Sequence, residues 1–240
     1  MFPKVLVGCP TSDWHEYCID EFLEAVKSFS YKDYRLILTD NSKTDSFFRK
    51  LKKKNIEIIK TPYLKRARSR VTRDHNLLRK ITLEENYDFL FILDQDVLPP
   101  KEAIEKLISH NKDIVYGLYF GHHVLNDGRN EVMPFAWAFK NGKRREHWGN
   151  VRYLNPDEYN NTKLIEVAFC GGGCIMISKK VLEKIKFRYS TKIDAWDDRW
   201  LGYDAHKNKF EVYLDPTIKC KHLYLKRPFI WQNLKGSGEV

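Results

Sequence analysis

The sequence predicts an α/β fold: a mixed, mainly parallel sheet flanked by helices, of the nucleotide-binding kind. Three observations predict it. Short apolar runs alternate with longer polar, helix-period segments through the first half of the chain, and that alternation is the pattern of a parallel sheet covered on both faces. The segment Asp88-Phe89-Leu90-Phe91-Ile92-Leu93-Asp94-Gln95-Asp96 is continuously apolar and then ends in two carboxylates, which reads as a strand buried on both faces with its acids at the sheet's edge. Finally, 240 residues at 42% hydrophobic content are enough to bury a sizeable core.

The elements follow in order. Lys4 to Cys9 is an apolar run stopped by Pro10, and Thr11-Ser12-Asp13 can cap a helix reaching about Ser28. Tyr34 to Thr39 reads as the second strand, closed by Asp40-Asn41-Ser42, which is also ordinary turn chemistry. Asp45 to Lys54 reads as a helix and Ile56 to Ile59 as a third strand. Arg66 to Glu85 is long, polar and periodic enough for a helix, and it leads to the strand Asp88 to Leu93. Pro99-Pro100 then opens a helix to His110, followed by a strand from Asp113 to Gly117. Asp96 fits two roles at this stage, a metal ligand or a turn carboxylate near that helix's N-terminus.

The second half is less regular. Glu131 to Lys140 and Lys163 to Cys170 read as strands, and Gly171-Gly172-Gly173 breaks the chain before the strand Cys174 to Ile177. Helices from Lys179 to Ile185 and from Asp197 to Asn208 precede a last strand, Glu211 to Leu214. No repeat, low-complexity stretch or linker marks a boundary, so residues 1–240 are expected to form one domain. Residues of about 1–117 would be its regular, nucleotide-binding half and about 118–240 its less regular half.

Lys and Arg outnumber Asp and Glu by 42 to 32, for a formal net charge of +10, which favours anionic partners. No apolar stretch approaches the roughly 20 residues a membrane span needs. The five cysteines, Cys9, Cys18, Cys170, Cys174 and Cys220, contain no CxxC pair, so neither a disulfide framework nor a zinc knuckle is indicated. A cytoplasmic protein with reduced thiols is expected. The basic run Arg49 to Lys54 suits a solvated helix face, whereas Lys226-Arg227 with Phe229-Ile230-Trp231 suits peripheral membrane contact, a lid or a subunit contact.

The order of these features resembles the GT-A glycosyltransferases, family 2 above all. The matching features are a first strand with a Pro-Thr loop, Asp-Asn-Ser after the second strand, an arginine segment, a strand ending in D-x-D, a glycine-rich strand entry, a late acidic pair and a late histidine. The resemblance spans about Val5 to His222. It implies a GT-A fold, a Rossmann-like nucleotide-binding sheet, and a hexosyltransferase using a UDP- or GDP-sugar. Pro10 and Thr11 would then lie against the nucleoside, with Asp40 on its base or ribose. Arg68 or Arg70 would pair with phosphate or base, although Ser69 stands where the family has Asn. The resemblance further implies that Asp94 and Asp96 are the D-x-D acids, with Asp96 the more direct ligand of Mn²⁺ or Mg²⁺, Asp94 contacting ribose or the metal shell, and His222 the third metal contact.

Gly172 would shape the donor-sugar and acceptor site, and Trp196 and Trp200 would stack on a pyranose. In Asp197-Asp198, Asp replaces the family's first Glu. Asp198 would be the general base of an inverting transfer and Asp197 would hydrogen-bond the acceptor, a glycan, lipid or protein hydroxyl. Two other readings stand beside this one. A nucleotidyltransferase would bring a glycine-rich basic phosphate loop, which Gly8-Cys9-Pro10-Thr11-Ser12 does not supply. A nucleic-acid-binding protein would use the Arg66 to Arg73 cluster, but Asp94, Asp96, Asp197 and Asp198 would repel a phosphate backbone, so no nucleic-acid partner is expected.

Overall fold

A computed structural model describes residues 2–124, 128, 130–140, 150–193 and 195–224; the segment containing Lys226-Arg227 and Phe229-Ile230-Trp231 lies outside the described residues. The first half runs β1 (Val5–Thr11), a 3-10 helix (Asp13–Cys18), α1 (Ile19–Lys27), β2 (Tyr34–Asp40), α2 (Ser46–Lys53), β3 (Ile58–Lys60), α3 (Ala67–Glu84), β4 (Phe89–Leu93), β5 (Val97–Leu98), α4 (Ala103–Ser109) and β6 (Ile114–Leu118). Next come β7 (Phe120–Val124), β8 (Asn130–Pro134), β9 (Ala136–Phe139), β10 (Val151–Tyr153), α5 (Pro156–Tyr159), β11 (Ile165–Glu166) and β12 (Phe169–Cys170). The last elements are β13 (Cys174–Ser178), α6 (Lys179–Lys184), α7 (Asp197–Lys207), β14 (Val212–Lys219) and β15 (Lys221–His222).

An eight-stranded sheet in the order β11-β14-β6-β13-β4-β1-β2-β3 forms the centre. Its strands are parallel except β13, which runs antiparallel to β4 and β6, and β11, antiparallel to β14. The apolar run of β4 is explained by its central place: Leu90 and Ile92 face one layer with Leu6, Leu78 and Tyr116, while Phe91 and Leu93 face the other with Val5, Val7 and Phe22. Successive side chains of a strand point to opposite faces, so a strand covered on both sides has no polar position to spare. Each such burial stabilises by roughly 1.5–3 kcal/mol, and truncating Phe91 to alanine would cost about 3–5 kcal/mol.

Several element boundaries differ from the sequence reading for identifiable reasons. Pro10 does not stop β1. The register to β4 ends at Gly8 and only β2 continues alongside to Thr11, an edge-like position where proline is tolerated. The first helix begins as the 3-10 turn and Ser12 gives no side-chain cap; instead Asp13 N donates to Ser42 Oγ at 2.8 Å. The stretch Glu131 to Lys140 is divided at Phe135, whose N–H donates to the Tyr119 carbonyl and whose carbonyl accepts from Gly171. Lys163 to Cys170 is divided because Val167 bonds to Val212 whereas Ala168 bonds to Trp137, so the chain switches sheets there.

All five cysteines are buried and unpaired. Among the described residues no helix is long and apolar enough to cross a membrane.

Candidate active site

The site is built at the carboxyl end of β4. Asp94-Gln95-Asp96-Val97 is a tight turn closed by Val97 N donating to the Asp94 carbonyl at 3.0 Å. β15 pairs antiparallel with β5 in the register His222↔Val97, and Leu223 N donates to the Asp96 carbonyl at 2.7 Å. That pairing carries a histidine from the end of the fold to the acid turn. His222 Nε2 lies 3.4 Å from Asp96 Oδ2. Its Nδ1–H donates to the Phe120 carbonyl at 2.6 Å, which leaves Nε2 directed at the carboxylate, the arrangement a metal-ligating histidine adopts.

Burial alone would raise the Asp96 carboxyl, but the His222 hydrogen bond and the His222 and His15 charges hold it below the usual carboxylate range. Burial likewise opposes the His222 imidazolium, and Asp96 more than offsets it, so His222 titrates above the ordinary imidazole range. Asp94 behaves oppositely. Burial first and the Asp96 charge second push it up to about 6. Two close acids with unequal environments are thereby separated in strength.

Two residues here carried no signal in the sequence reading. His15 Nε2 lies 3.8 Å from Asp96 Oδ2, and the His15 carbonyl accepts Gln95 Nε2–H at 2.6 Å. The middle residue of D-Q-D thus ties the 3-10 helix to the acid turn. Tyr119 holds the glycine run: its hydroxyl accepts Gly173 N–H at 3.2 Å. A Cβ on Gly171 would stand 2.1 Å from that oxygen, so a side chain is excluded there by Tyr119.

The glycine run links the two acid pairs. Asp94 N donates to the Gly173 carbonyl at 3.0 Å, and the site of a Cβ on Gly172 is 3.8 Å from Asp198 Cβ with nothing nearer. Asp197 and Asp198 open α7, where carboxylates are favoured by the helix dipole. They face different surroundings. Asp197 is buried and accepts His75 Nδ1–H at 2.8 Å, whereas Asp198 is half-buried. Burial, then the Asp197 charge, lifts Asp198 to about 7, and Asp94 adds to the rise. A carboxyl near neutrality has the strength a general base needs at physiological pH.

The other expected contacts divide. Thr11 and Asp40 end adjacent strands in the register Thr11↔Asp40, with Pro10 one residue before. The Thr11 hydroxyl is buried with no hydrogen-bond partner among the described residues. The Asp40 carboxylate is fully buried and engaged by Lys60 Nζ at 2.8 Å and by Ser42 N at 2.9 Å. Arg70 donates to Asn41 Oδ1 at 3.2 Å and to the Leu64 and Lys65 carbonyls, and Asn41 in turn donates to Asp74 at 2.8 Å. These bonds order the loop after β2. Arg68 lies 5.3 Å over the Trp196 ring, beside an open cavity of about 520 Å³ lined also by Arg66, Tyr189 and Lys192. Trp196 is 43% exposed, whereas Trp200 is buried beneath the Arg188 guanidinium, 3.7 Å from its ring. Of the two tryptophans expected to stack on a pyranose, Trp200 is thus closed off by burial and only Trp196 is exposed.

Carboxylate oxygens beside a neutral-capable imidazole are a donor set that fits a hard or borderline divalent cation. Among the described residues no group of three His, Cys, Asp or Glu side chains is arranged to hold a metal ion by itself.

The family model described as Glycosyl transferase family 2 matches residues 15–186, well over half of the chain. This chain belongs to glycosyl transferase family 2. It is a glycosyltransferase of GT-A fold. The matched span contains Asp40, Arg68, Arg70, Asp94, Asp96 and Gly172; Pro10 and Thr11 precede it, and Trp196, Asp197, Asp198 and His222 follow it.

Among solved structures, the chain is similar to GalNAc-T7 with UDP, GalNAc and Mn2+, with TM-score 0.65 and 14% identity, covering 92% of this chain and 44% of that one. It is also similar to S. aureus TarS 1-349 in complex with UDP, with TM-score 0.56 and 15% identity, covering 90% and 59% respectively. A third is A197 from STIV, with TM-score 0.55 and 17% identity, covering 97% and 92%. At these identities the likeness is one of fold. The chain spans less than two thirds of the GalNAc-T7 and TarS chains. No curated protein sequence matches it.

Proposed function

We propose that this chain transfers a sugar from a UDP- or GDP-linked donor to an acceptor hydroxyl of a glycan, lipid or protein, with inversion, and that the transfer depends on Mn²⁺ or Mg²⁺. Asp96 and His222 would hold the cation, with Asp94 beside them. A bound divalent cation would supply Lewis-acid support to the departing nucleoside diphosphate, and the imidazole favours manganese. UDP in two of the similar structures supports a UDP-linked donor.

The chain's own residues do the rest. The unpartnered Thr11 hydroxyl, with Pro10 and the Asp40 loop, offers a seat for the nucleoside, and Arg68 offers cationic contact. Gly172 lets an acceptor approach Asp198 closely, and Trp196 gives its sugar an aromatic face. Asp198 takes the proton from the acceptor hydroxyl as that oxygen attacks the anomeric carbon. The observation that carries this reading is the link between the acid pairs: Asp94 N bonds to Gly173 O at 3.0 Å, and the preceding glycine faces Asp198.

Calorimetry of UDP and GDP with Mn²⁺, Mg²⁺ or chelator tests it. Nucleotide should bind only with the metal, and Asp96→Ala should abolish the metal dependence while the far-UV spectrum is unchanged. Equal affinity with metal and chelator in the unmodified protein would remove Asp96 and His222 from any metal site.

A further inference from the structure

The polar face of α3 is turned toward the protein. Ser69 Oγ lies 2.6 Å from Tyr189 Oη. Asn76 brackets Phe187, donating to its carbonyl at 2.8 Å and accepting its N–H at 3.1 Å. Arg79 Nε donates to the Leu182 and Ile185 carbonyls at 2.6 and 2.8 Å. Positions 69, 76 and 79 share one helix face, and together they fasten the connection from α6 toward α7. His75 stands on the same stretch and reaches α7 itself.

The His75–Asp197 pair is costly by ordinary standards. Asp197 is 3% and His75 4% exposed, and the histidine's Nε2 has no hydrogen-bond partner among the described residues. Burying such groups is weak evidence for stability, because desolvation offsets much of the attraction. A packed apolar pair would serve stability as well. What the pair supplies is direction: Trp196 at the N-cap of α7 contributes no side-chain cap, and Asp197, the helix's first residue, is instead fixed to a helix 122 residues earlier. The His75 ring is wedged against Phe187, with ring centroids 4.9 Å apart, so its own orientation is set by packing.

We propose that His75 is a positioning residue: by holding Asp197 it fixes the first turn of α7 so that Asp198 stays beside Gly172. The proposal rests on the reading of Asp198 as base. It also reassigns Asp197, whose buried carboxylate serves His75 in place of an acceptor.

Three variants separate this role from bulk or burial. Asparagine puts an amide N–H near the position of Nδ1, glutamine near that of Nε2, and alanine supplies neither. The rate is read as UDP released from the UDP-hexose turned over fastest in a panel with Mn²⁺. His75→Ala and His75→Gln should lower kcat roughly 10²-fold, the effect of a small misplacement of a reacting group, with donor KM within about twofold, whereas His75→Asn should stay within about fivefold of the parent. Amide exchange at Asp198 and Arg199, which needs no turnover, should accelerate in His75→Ala and His75→Gln but not in His75→Asn. Equal losses in all three variants, a change confined to donor KM, or unaltered exchange in His75→Ala would each overturn the proposal. Asp198→Asn with a parental rate would instead overturn the base reading. That result is told apart because it leaves the Asn-versus-Gln exchange pattern in place.

Discussion

Replacing Asp198 with asparagine should stabilise the protein, and should do so only above the pH at which a free carboxyl ionises. Burial and the neighbouring Asp197 charge lift Asp198 to about 7, whereas in the unfolded chain it titrates near ~3.9. The unfolded state therefore releases this proton first. Below about pH 4 neither state is ionised and no penalty exists; it grows between about pH 4 and 7 and is complete above that. About three pH units at 1.36 kcal/mol each set a ceiling of about 4 kcal/mol, and water reaching the half-buried carboxyl lowers this to about 2 kcal/mol.

Asparagine keeps an oxygen to accept the Arg199 N–H that Asp198 Oδ1 accepts at 2.5 Å, so the substitution removes the charge without orphaning that donor. At about 2–4 °C per kcal/mol for a chain of this size, Tm should rise by about 4–8 °C at pH 8 and hardly at all at pH 4. Scanning calorimetry of both proteins in chelator, without nucleotide, measures it. The reasoning is refuted if the rise is the same at both pH values, or if Tm falls at pH 8. A gain of this kind is the stability counterpart of a group held in a charged state for function.

In kinetics the same carboxyl should appear as a limb: kcat/KM falls about tenfold per pH unit below about pH 7 and levels above it, and Asp198→Asn loses roughly 10²–10⁴-fold. Asp197→Asn should move the limb to lower pH by removing the second cause of the Asp198 shift, and an unmoved limb would assign it to another group. His222→Ala should weaken manganese-supported UDP binding less than Asp96→Ala, because it removes a neutral donor and leaves the carboxylate; a manganese titration identical to the parent's would exclude His222 as a ligand. Gly171→Ala should cost about 1–3 kcal/mol by overpacking against Tyr119, and adding Tyr119→Phe should recover part of it in urea unfolding, since the hydroxyl is the nearest atom to the new methyl.

The central sheet was legible because β4, β1 and β13 carry their burial in their composition, and apolar runs of that length have few other places to go. Asp94-Gln95-Asp96 stood out because it follows such a strand, and Asp197-Asp198 because two acids together open a helix. Their relation to one another was not, because it depends on β13 inserting beside β4 and on β15 pairing with β5, both long-range choices invisible to periodicity. His75 and His15 are single residues with no spacing to mark them, and only tertiary contact gives them partners. Trp200 looked like Trp196 in sequence, but its place on the inward side of α7 buries it. The polar residues of α3 name no partners in the sequence, where the structure has a seam of side-chain bonds to backbone.

The insertion of β13 between β4 and β6 also governs the order in which the molecule can be assembled. Neither flanking strand touches the other, so Leu90–Leu93 has an open edge until residues 174–178 have been synthesised and have turned back into the gap. A nascent chain bearing everything through residue 117 thus displays an apolar strand with free backbone donors and acceptors, the template on which strands of other molecules add. Completion of the sheet and delivery of the glycine run to the acid turn are one event, since Gly173 leads directly into β13. Maturation of the centre is thereby tied to the closing of the fold's most aggregation-prone edge.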